Sequence, residues 1–436
     1  MDAPKRTRSC RREGQQAAKT VSNGERQICL PLSREDYEQH WSDPQWLREY
    51  IERLIVCHPE IFPPGIKHGF QLAGKLPESR KLPGIQLRKL ILKGKRQIFT
   101  LRPSFVLSYM MGELSMPAPE TVAGCPPNLE IGLELLSHNV PVDLVVKACG
   151  GTAMFGERLL QRVGRNSLVG TTVSAPQQIP QDLTADEHHL KWCKEKGFVA
   201  LTVGRDCILG LALTAGADDA HLKKAYGEFE QEVRQVAPEY APRTVNTDGW
   251  AATQNAFQQL FQGIAIILCF LHGFLKVRDR CRKNKEIHDQ VWHVYRAETA
   301  AEFQQRMEQL KQTSDRSTWK APVKEMIDKL DRRKDEYVLS YQHPGCHRTS
   351  NAVDRPMNAL HRQAYAGRGL HGHQRSSERR LRGWALLYNF RPFAHRSGLK
   401  RNETCRAQRL NQKCYSTNWL ENLMISASGN GLWKHT

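Results

Sequence analysis

The chain has 436 residues, with 64 Lys or Arg against 45 Asp or Glu and a formal charge of +19. Hydrophobic residues make up 40% and aromatics 8%, which is enough for packed cores and excludes a wholly disordered chain. The length calls for more than one domain, and the positive excess points to a polyanionic partner, nucleic acid before an anionic membrane surface.

Residues 1–30 carry seven Lys/Arg and three acids and read as a flexible basic arm. Residues 31–175 read as a mainly helical DNA-binding region. Tyr37, Trp41, Trp46, Leu47, Tyr50, Ile51, Leu54 and Ile55 recur at helical spacing. Between Lys75 and Arg102, nine Lys/Arg face one acid, Glu78, with short β-like pieces at Ile85–Ile91 and Gln97–Leu101. This is either a solvated sheet face or a phosphate-contacting surface. A helix from Val142 to Ala148, a Gly150-Gly151 turn and a second helix from Thr152 to Val163 outline a helix-turn-helix over 142–165. Met154, Phe155, Leu159, Leu160 and Val163 would pack inward. Arg158, Arg162 and Arg165 would face out, as a helix in the major groove needs; two short helices joined by a Gly turn equally suit any α domain.

Residues 176–284 read as α/β. Phe198–Val203 and Cys207–Thr214 form a hairpin, with Asp186 just before it. Asp218–Val236 is an amphipathic helix, Arg243–Thr247 a strand, and Ala251–Phe261 a helix. Ile264–Leu271 is apolar throughout, as a central strand would be. Residues 285–342 show helical periodicity only and read as an all-α insertion. Residues 343–436 complete the core and are basic: Gln342–Leu410 holds fourteen Lys/Arg and three acids. The apolar run Ile264–Leu275, interrupted by His272, is shorter than the roughly 20 residues a membrane span needs. Met1–Arg12 is polar and basic, unlike a signal peptide. The 12 cysteines are scattered singly, as reduced thiols of a cytosolic protein are.

Three acids stand out: Asp186 in Asp186-Glu187-His188-His189, Asp248 in Thr244–Trp250, and Asp354 in Thr349–Asp354. Carboxylates at the ends of neighbouring strands can share magnesium, which takes oxygen ligands and retains waters. Two such ions, about 4 Å apart, can activate an attacking oxygen and stabilise a leaving one in phosphodiester displacement. Each acid also has a structural reading. Asp186 and Asp248 suit turns, and Asp354 suits a helix start. Cys269 and His272 have metal-ligand spacing, and Cys346-His347 offers the other half of a zinc site; a buried Cys beside a hydrogen-bonded His is the structural alternative.

Together, Asp186–His189, Thr244–Trp250, Cys269–Phe274 and Thr349–Met357 resemble DDE-type transposases of bacterial insertion sequences, those related to Mutator-like elements. The likeness extends through Trp384–Phe390 and Asn418–Leu423. It implies an RNase H-like catalytic core interrupted by a helical insertion, and metal-dependent cleavage and strand transfer of DNA. By position, Asp186, Asp248 and Asp354 correspond to the triad that binds Mg2+ (or Mn2+), as two ions. Most relatives carry Glu at the third position, and Glu187 competes with Asp186 for the first. Cys269 and His272 correspond to the family's Cys-x-x-His motif, which would orient the core. Lys276, Arg278, Arg280 and the Arg-rich stretch 375–401 would contact phosphates. The implied partners are double-stranded DNA, as terminal repeats and target, and further copies of the chain in a synaptic homo-oligomer. No membrane is implied, and the location would be cytoplasmic, at the nucleoid. The alternative is a catalytically inactive or domesticated relative that binds DNA without cutting it.

Overall fold

The computed structural model describes residues 26–78, 83–94, 97–107, 129–393 and 405–433. The N-terminal part contains β1 (Gln27–Leu30), α1 (Arg34–His40), α2 (Pro44–Cys57), β2 (Phe70–Lys75), β3 (Arg88–Leu92) and β4 (Ile98–Pro103). Its strands form a sheet of order β1-β4-β3-β2, with β1 parallel to β4. This corrects two expectations. The end of the supposed flexible arm is a strand whose Ile28, Cys29 and Leu30 are fully buried, an apolar piece too short to stand out in sequence. The rest of that arm, 1–25, lies outside the described residues. The region that follows is also not simply helical, because this sheet precedes its helical part. Of the nearby cations, Arg88 and Arg102 turn inward, donating to the Ser42 and Val106 carbonyls. Lys75, Lys89 and Lys93 remain exposed.

Next come α3 (Leu129–Ser137), α4 (Val142–Cys149), α5 (Ala153–Val163) and α6 (Leu168–Thr172). Gly150 and Gly151 turn the chain between α4 and α5 with φ of 76° and 85°, where a side chain would be strained. The Thr152 hydroxyl then caps α5 by accepting the Phe155 amide at 3.2 Å. Leu159, Leu160 and Val163 are buried as expected. Met154 is not: it is 58% exposed, because it lies in the first turn, away from the packed face.

The second sheet is built from β5 (Asp182–Trp192), β6 (Glu195–Gly204), β7 (Cys207–Thr214), α7 (Asp219–Val236), β8 (Thr244–Thr247), α8 (Ala251–Leu260) and β9 (Ala265–Leu268). Its order is β7-β6-β5-β8-β9. β5, β6 and β7 are antiparallel neighbours, while β8 runs parallel to β5 and β9 to β8. α7 and α8 cover one face around Tyr226, Phe229 and Phe257. The expected central strand at Ile264–Leu271 is instead the short edge strand β9, followed by α9 (Phe270–Arg280). The run is apolar because it serves two cores: Ile264 packs with α7 and α8, whereas Leu268 and Phe270 pack into the helical segment. That segment comprises α10 (Lys285–Tyr295), α11 (Ala300–Arg316), α12 (Ala321–Arg332) and α13 (Lys334–Gln342). Phe303, Met307, Leu310, Ile327 and Leu330 are its core.

The chain returns through α14 (Asn351–Ala366), α15 (Gln374–Phe390), α16 (Arg406–Asn411) and α17 (Trp419–Ser426). α14 packs on β5. α15 runs along the outer edge of β7 and serves its open hydrogen-bonding groups. Gln374 donates to the Leu213 carbonyl at 2.8 Å, Glu378 accepts the Leu213 amide, and Asn389 both accepts from and donates to Ile208. The spacing matches: residues 378 to 389 of a helix and 208 to 213 of a strand each span roughly 16 Å. A bare strand edge invites pairing with other chains, and this helix closes it.

Candidate active site

β5 carries Asp186 at its middle, paired across from Leu201 of β6. The acid is therefore a strand residue, not a turn residue. β5 and β8 pair in register Asp182 with Thr244 and Thr184 with Asn246, a numbering offset of 62 (244 − 182). Asp186 and Asp248 differ by the same 62 (248 − 186). Continuing the register thus sets them side by side on one face, across one strand spacing of about 4.8 Å. Asp248 lies just beyond the end of β8. Its carboxylate accepts the Trp250 amide at 2.9 Å, which makes a tight turn. Gly249 permits that turn at φ 95°; a side chain there would lie 2.8 Å from Leu268 and 3.0 Å from the Arg333 guanidinium.

The pair is electrostatically loaded. Burial, followed by the charge of Asp248, pushes the Asp186 carboxyl up to about 7; the Glu187 amide and His272 oppose this. Glu187 points to the other face of the strand, as a period of two requires. There it accepts from Tyr226 at 2.5 Å and Thr253 at 2.7 Å. Burial raises its carboxyl too, against those two hydrogen bonds. Asp186, not Glu187, shares the face of Asp248.

Cys269 immediately precedes α9 and His272 lies in its first turn. Their mutual hydrogen bond raises His272 to about 9, helped by the charges of Cys269, Asp248 and Asp186 and opposed by burial. Burial alone would raise the Cys269 thiol, but hydrogen bonds from His272 and Ser350 outweigh it and pull it down. The Cys269 sulfur accepts the Ser350 amide at 3.2 Å, and the Ser350 hydroxyl donates to Asp354 at 3.1 Å. Asp354, in the first turn of α14, is thereby linked by hydrogen bonds to Ser350, Cys269 and His272, and the charge of His272 in turn interacts with Asp186 and Asp248. Asn246 of β8 donates to the His347 carbonyl at 2.9 Å, which ties down the loop before α14.

Cys346 does not approach Cys269; its thiol donates to the Ser340 carbonyl at 3.5 Å. Among the described residues, no three His, Cys, Asp or Glu side chains converge as a ready-made ligand set. Asp186 and Asp248 are a pair of hard oxygen donors whose mutual repulsion a cation would relieve. Magnesium retains several waters, so two carboxylates suit it.

Among the basic candidates, Arg158 is exposed on α5, and Arg162 and Arg165 are half-buried at its end. Lys276, Arg278 and Arg280 are exposed on α9, away from buried Phe270, Gly273 and Val277. Of the stretch 375–401, residues 394–401 lie outside the described residues. Sequence reasoning missed Ser350, Tyr226 and Arg333. Only Ser350, four residues before Asp354, left a local signal.

The chain matches no protein-family model and no curated protein. Among the described residues, no helix is long and apolar enough to cross a membrane.

Proposed function

We propose that the protein is a transposase of the DDE/DDD type with an RNase H-like core, cutting and joining insertion-element DNA. The observation that carries this reading is the Asp186–Asp248 pair, which the parallel register of β5 and β8 brings together and whose mutual charge, with burial, lifts the Asp186 carboxyl to about 7. Three antiparallel strands followed by two parallel ones, with helices between, support the RNase H-like assignment. The helical segment between β9 and α14 corresponds to the insertion expected of the family.

In this reading Asp186 and Asp248 hold the cations, as two ions with Asp354 as the third carboxylate. Magnesium or manganese, when bound, supplies charge neutralisation and Lewis acidity at the scissile phosphate. His272, cationic below about 9, limits the negative charge of the pair. Cys269 and Ser350 position α14, so Asp354 stands one hydrogen bond from the network. Arg158, Lys276, Arg278 and Arg280 are exposed cations available to DNA phosphates. The partners are double-stranded DNA and further copies of the chain.

The test is a cleavage and strand-transfer assay on duplexes from the DNA flanking the coding region, with magnesium or manganese. Joined products are expected, and Asp248→Asn with full activity would refute the assignment. A second reading, DNA binding without cutting, is favoured by one observation: Asp354 accepts from Ser350, and among the described residues it does not group with the pair as a three-carboxylate ligand set. Duplex binding with no metal-dependent product would establish it.

A further inference from the structure

α5 and α15 meet at backbone contact. A side chain at Gly164 would lie 1.8 Å from the Arg379 carbonyl oxygen, and one at Gly383 would lie 2.1 Å from the Leu160 carbonyl oxygen. Only glycine permits this approach at either position, and it gathers cations from two distant parts of the sequence. Arg162 and Arg165 come from the end of α5, and Arg375 and Arg379 from the first turns of α15. Arg379 is 9% exposed, and its Nε has no hydrogen-bond partner; the buried Nε of half-buried Arg165 has none either. Burial, then the charges of Arg375, Arg165 and Arg162, pull Arg379 down to about 10, against the opposing charge of Glu378.

The nearby acids are committed elsewhere. Glu232 pairs with Arg382, Glu157 with Arg380, and Glu378 accepts the Leu213 amide of β7. Among the described residues, no carboxylate lies within ion-pairing distance of Arg165, Arg375 or Arg379. A buried guanidinium among like charges is costly unless an anion joins it. Arg375 is exposed, so the cluster opens to solvent.

We propose that Arg162, Arg165, Arg375 and Arg379 form a pocket for one backbone phosphate of bound DNA. Planar guanidinium groups suit phosphate oxygens, which they meet in paired hydrogen bonds. The proposal rests on the DNA-binding reading but not on cleavage. Glu378, beside Arg379, ties the pocket to the edge of β7, and β7 belongs to the sheet that carries Asp186. A strand anchored there would be held in fixed relation to the carboxylates.

The full chain is tested against a labelled duplex of about 30 base pairs by anisotropy from 50 to 200 mM salt, and against inorganic phosphate by thermal melting at matched ionic strength. Arg379→Gln and Arg375→Gln are each expected to weaken duplex binding about tenfold and to lower the salt slope by about 0.9. Arg379→Gln should also raise the melting temperature of the free protein, because it removes an uncompensated cation. Inorganic phosphate should stabilise the wild type and not this variant. Arg375 is exposed, so its variant reports on binding without risk to the fold. Unchanged duplex affinity in both variants would overturn the proposal. So would stabilisation by free phosphate with no duplex bound. Duplex binding through these arginines by a protein that does not cut DNA would support the pocket and sink only the cleavage reading.

Discussion

Arg379 and Arg382 lie one turn apart on α15, and both are buried. Their surroundings differ. Arg382 pairs with Glu232 and donates to the carbonyls of Gly164 and Asn166. Glu232 in turn accepts from the Ser167 hydroxyl at 2.8 Å and from the Leu168 and Val169 amides that open α6. Every charge there is answered within the protein. Arg379 has three arginines around it, is opposed only by the charge of Glu378, and makes no ion pair among the described residues. The Asp186–Asp248 pair mirrors it with the sign reversed. Balanced buried charge fixes the fold. Unbalanced buried charge is retained at a stability cost and calls for a ligand of the missing sign.

The largest expected effect is at the unbalanced acids. Asp248→Asn should leave the fold intact and lower metal-dependent DNA cleavage by about a thousandfold or more, measured as product formed per time. Wild-type rates in this variant would remove the acid pair from the chemistry and leave its loading without a purpose.

At the balanced site the loss should appear in stability. Glu232→Gln strands Arg382 and unpairs the start of α6, at a cost of about 3–5 kcal/mol by denaturant unfolding. Replacing both partners, Glu232→Leu with Arg382→Met, should recover much of that loss, since neither buried charge remains. A double variant as unstable as the single one would mean that α6, not the ion pair, carries the effect.

A pH series separates the two kinds of site. The ordinary value for Asp186 is 3.8 and its folded value is about 7, so folding favours the protonated carboxyl. Its stabilising contribution is full below 3.8 and is lost as pH rises through 7. Without divalent cation, Asp186→Asn should therefore be more stable than the wild type at pH 8 by roughly 1–3 kcal/mol and near parity at pH 4. Added magnesium should narrow the gap by stabilising only the wild type. A gap independent of pH would exclude the titration as its cause.

The sequence shows the balanced parts of the core better than the unbalanced ones. The β6–β7 hairpin and α7 announce themselves through apolar runs and helical periodicity, because each buries its own face. β5 does not. Its Asp186-Glu187-His188-His189 is a poor strand former, and pairing with β6 on one side and β8 on the other holds it extended. All three acids could be singled out from context, yet their relation required register: the shared offset of 62 means nothing until β5 and β8 are known to pair (244 − 182 and 248 − 186). Glu378 and Asn389 act across 165 and 181 residues of chain, so no local pattern reveals them, and the reach of Ser350 to Cys269 across 81 residues is equally hidden although its place before Asp354 is not. The Arg379 cluster depends on Gly164 and Gly383, which read as ordinary helix-end and mid-helix glycines until the two helices touch.

The smallest effect lies between the two extremes. Arg380, next to Arg379, meets Glu157 of α5 at 3.4 Å, with both side chains a little over a quarter exposed. The pair is half-solvated, so water screens it and the long side chains lose freedom in forming it. Glu157→Gln is expected to cost under about 1 kcal/mol by denaturant unfolding, and the cost should shrink further at high salt. The same change removes an acid from the helix that carries Arg162 and leads to Arg165, so duplex binding should tighten slightly while stability falls slightly. If both fall together, Glu157 supports the α5–α15 contact on which the arginine cluster depends. If binding rises as stability falls, the acid acts only by its charge, and the contrast between Arg379 and its paired neighbours is electrostatic in origin.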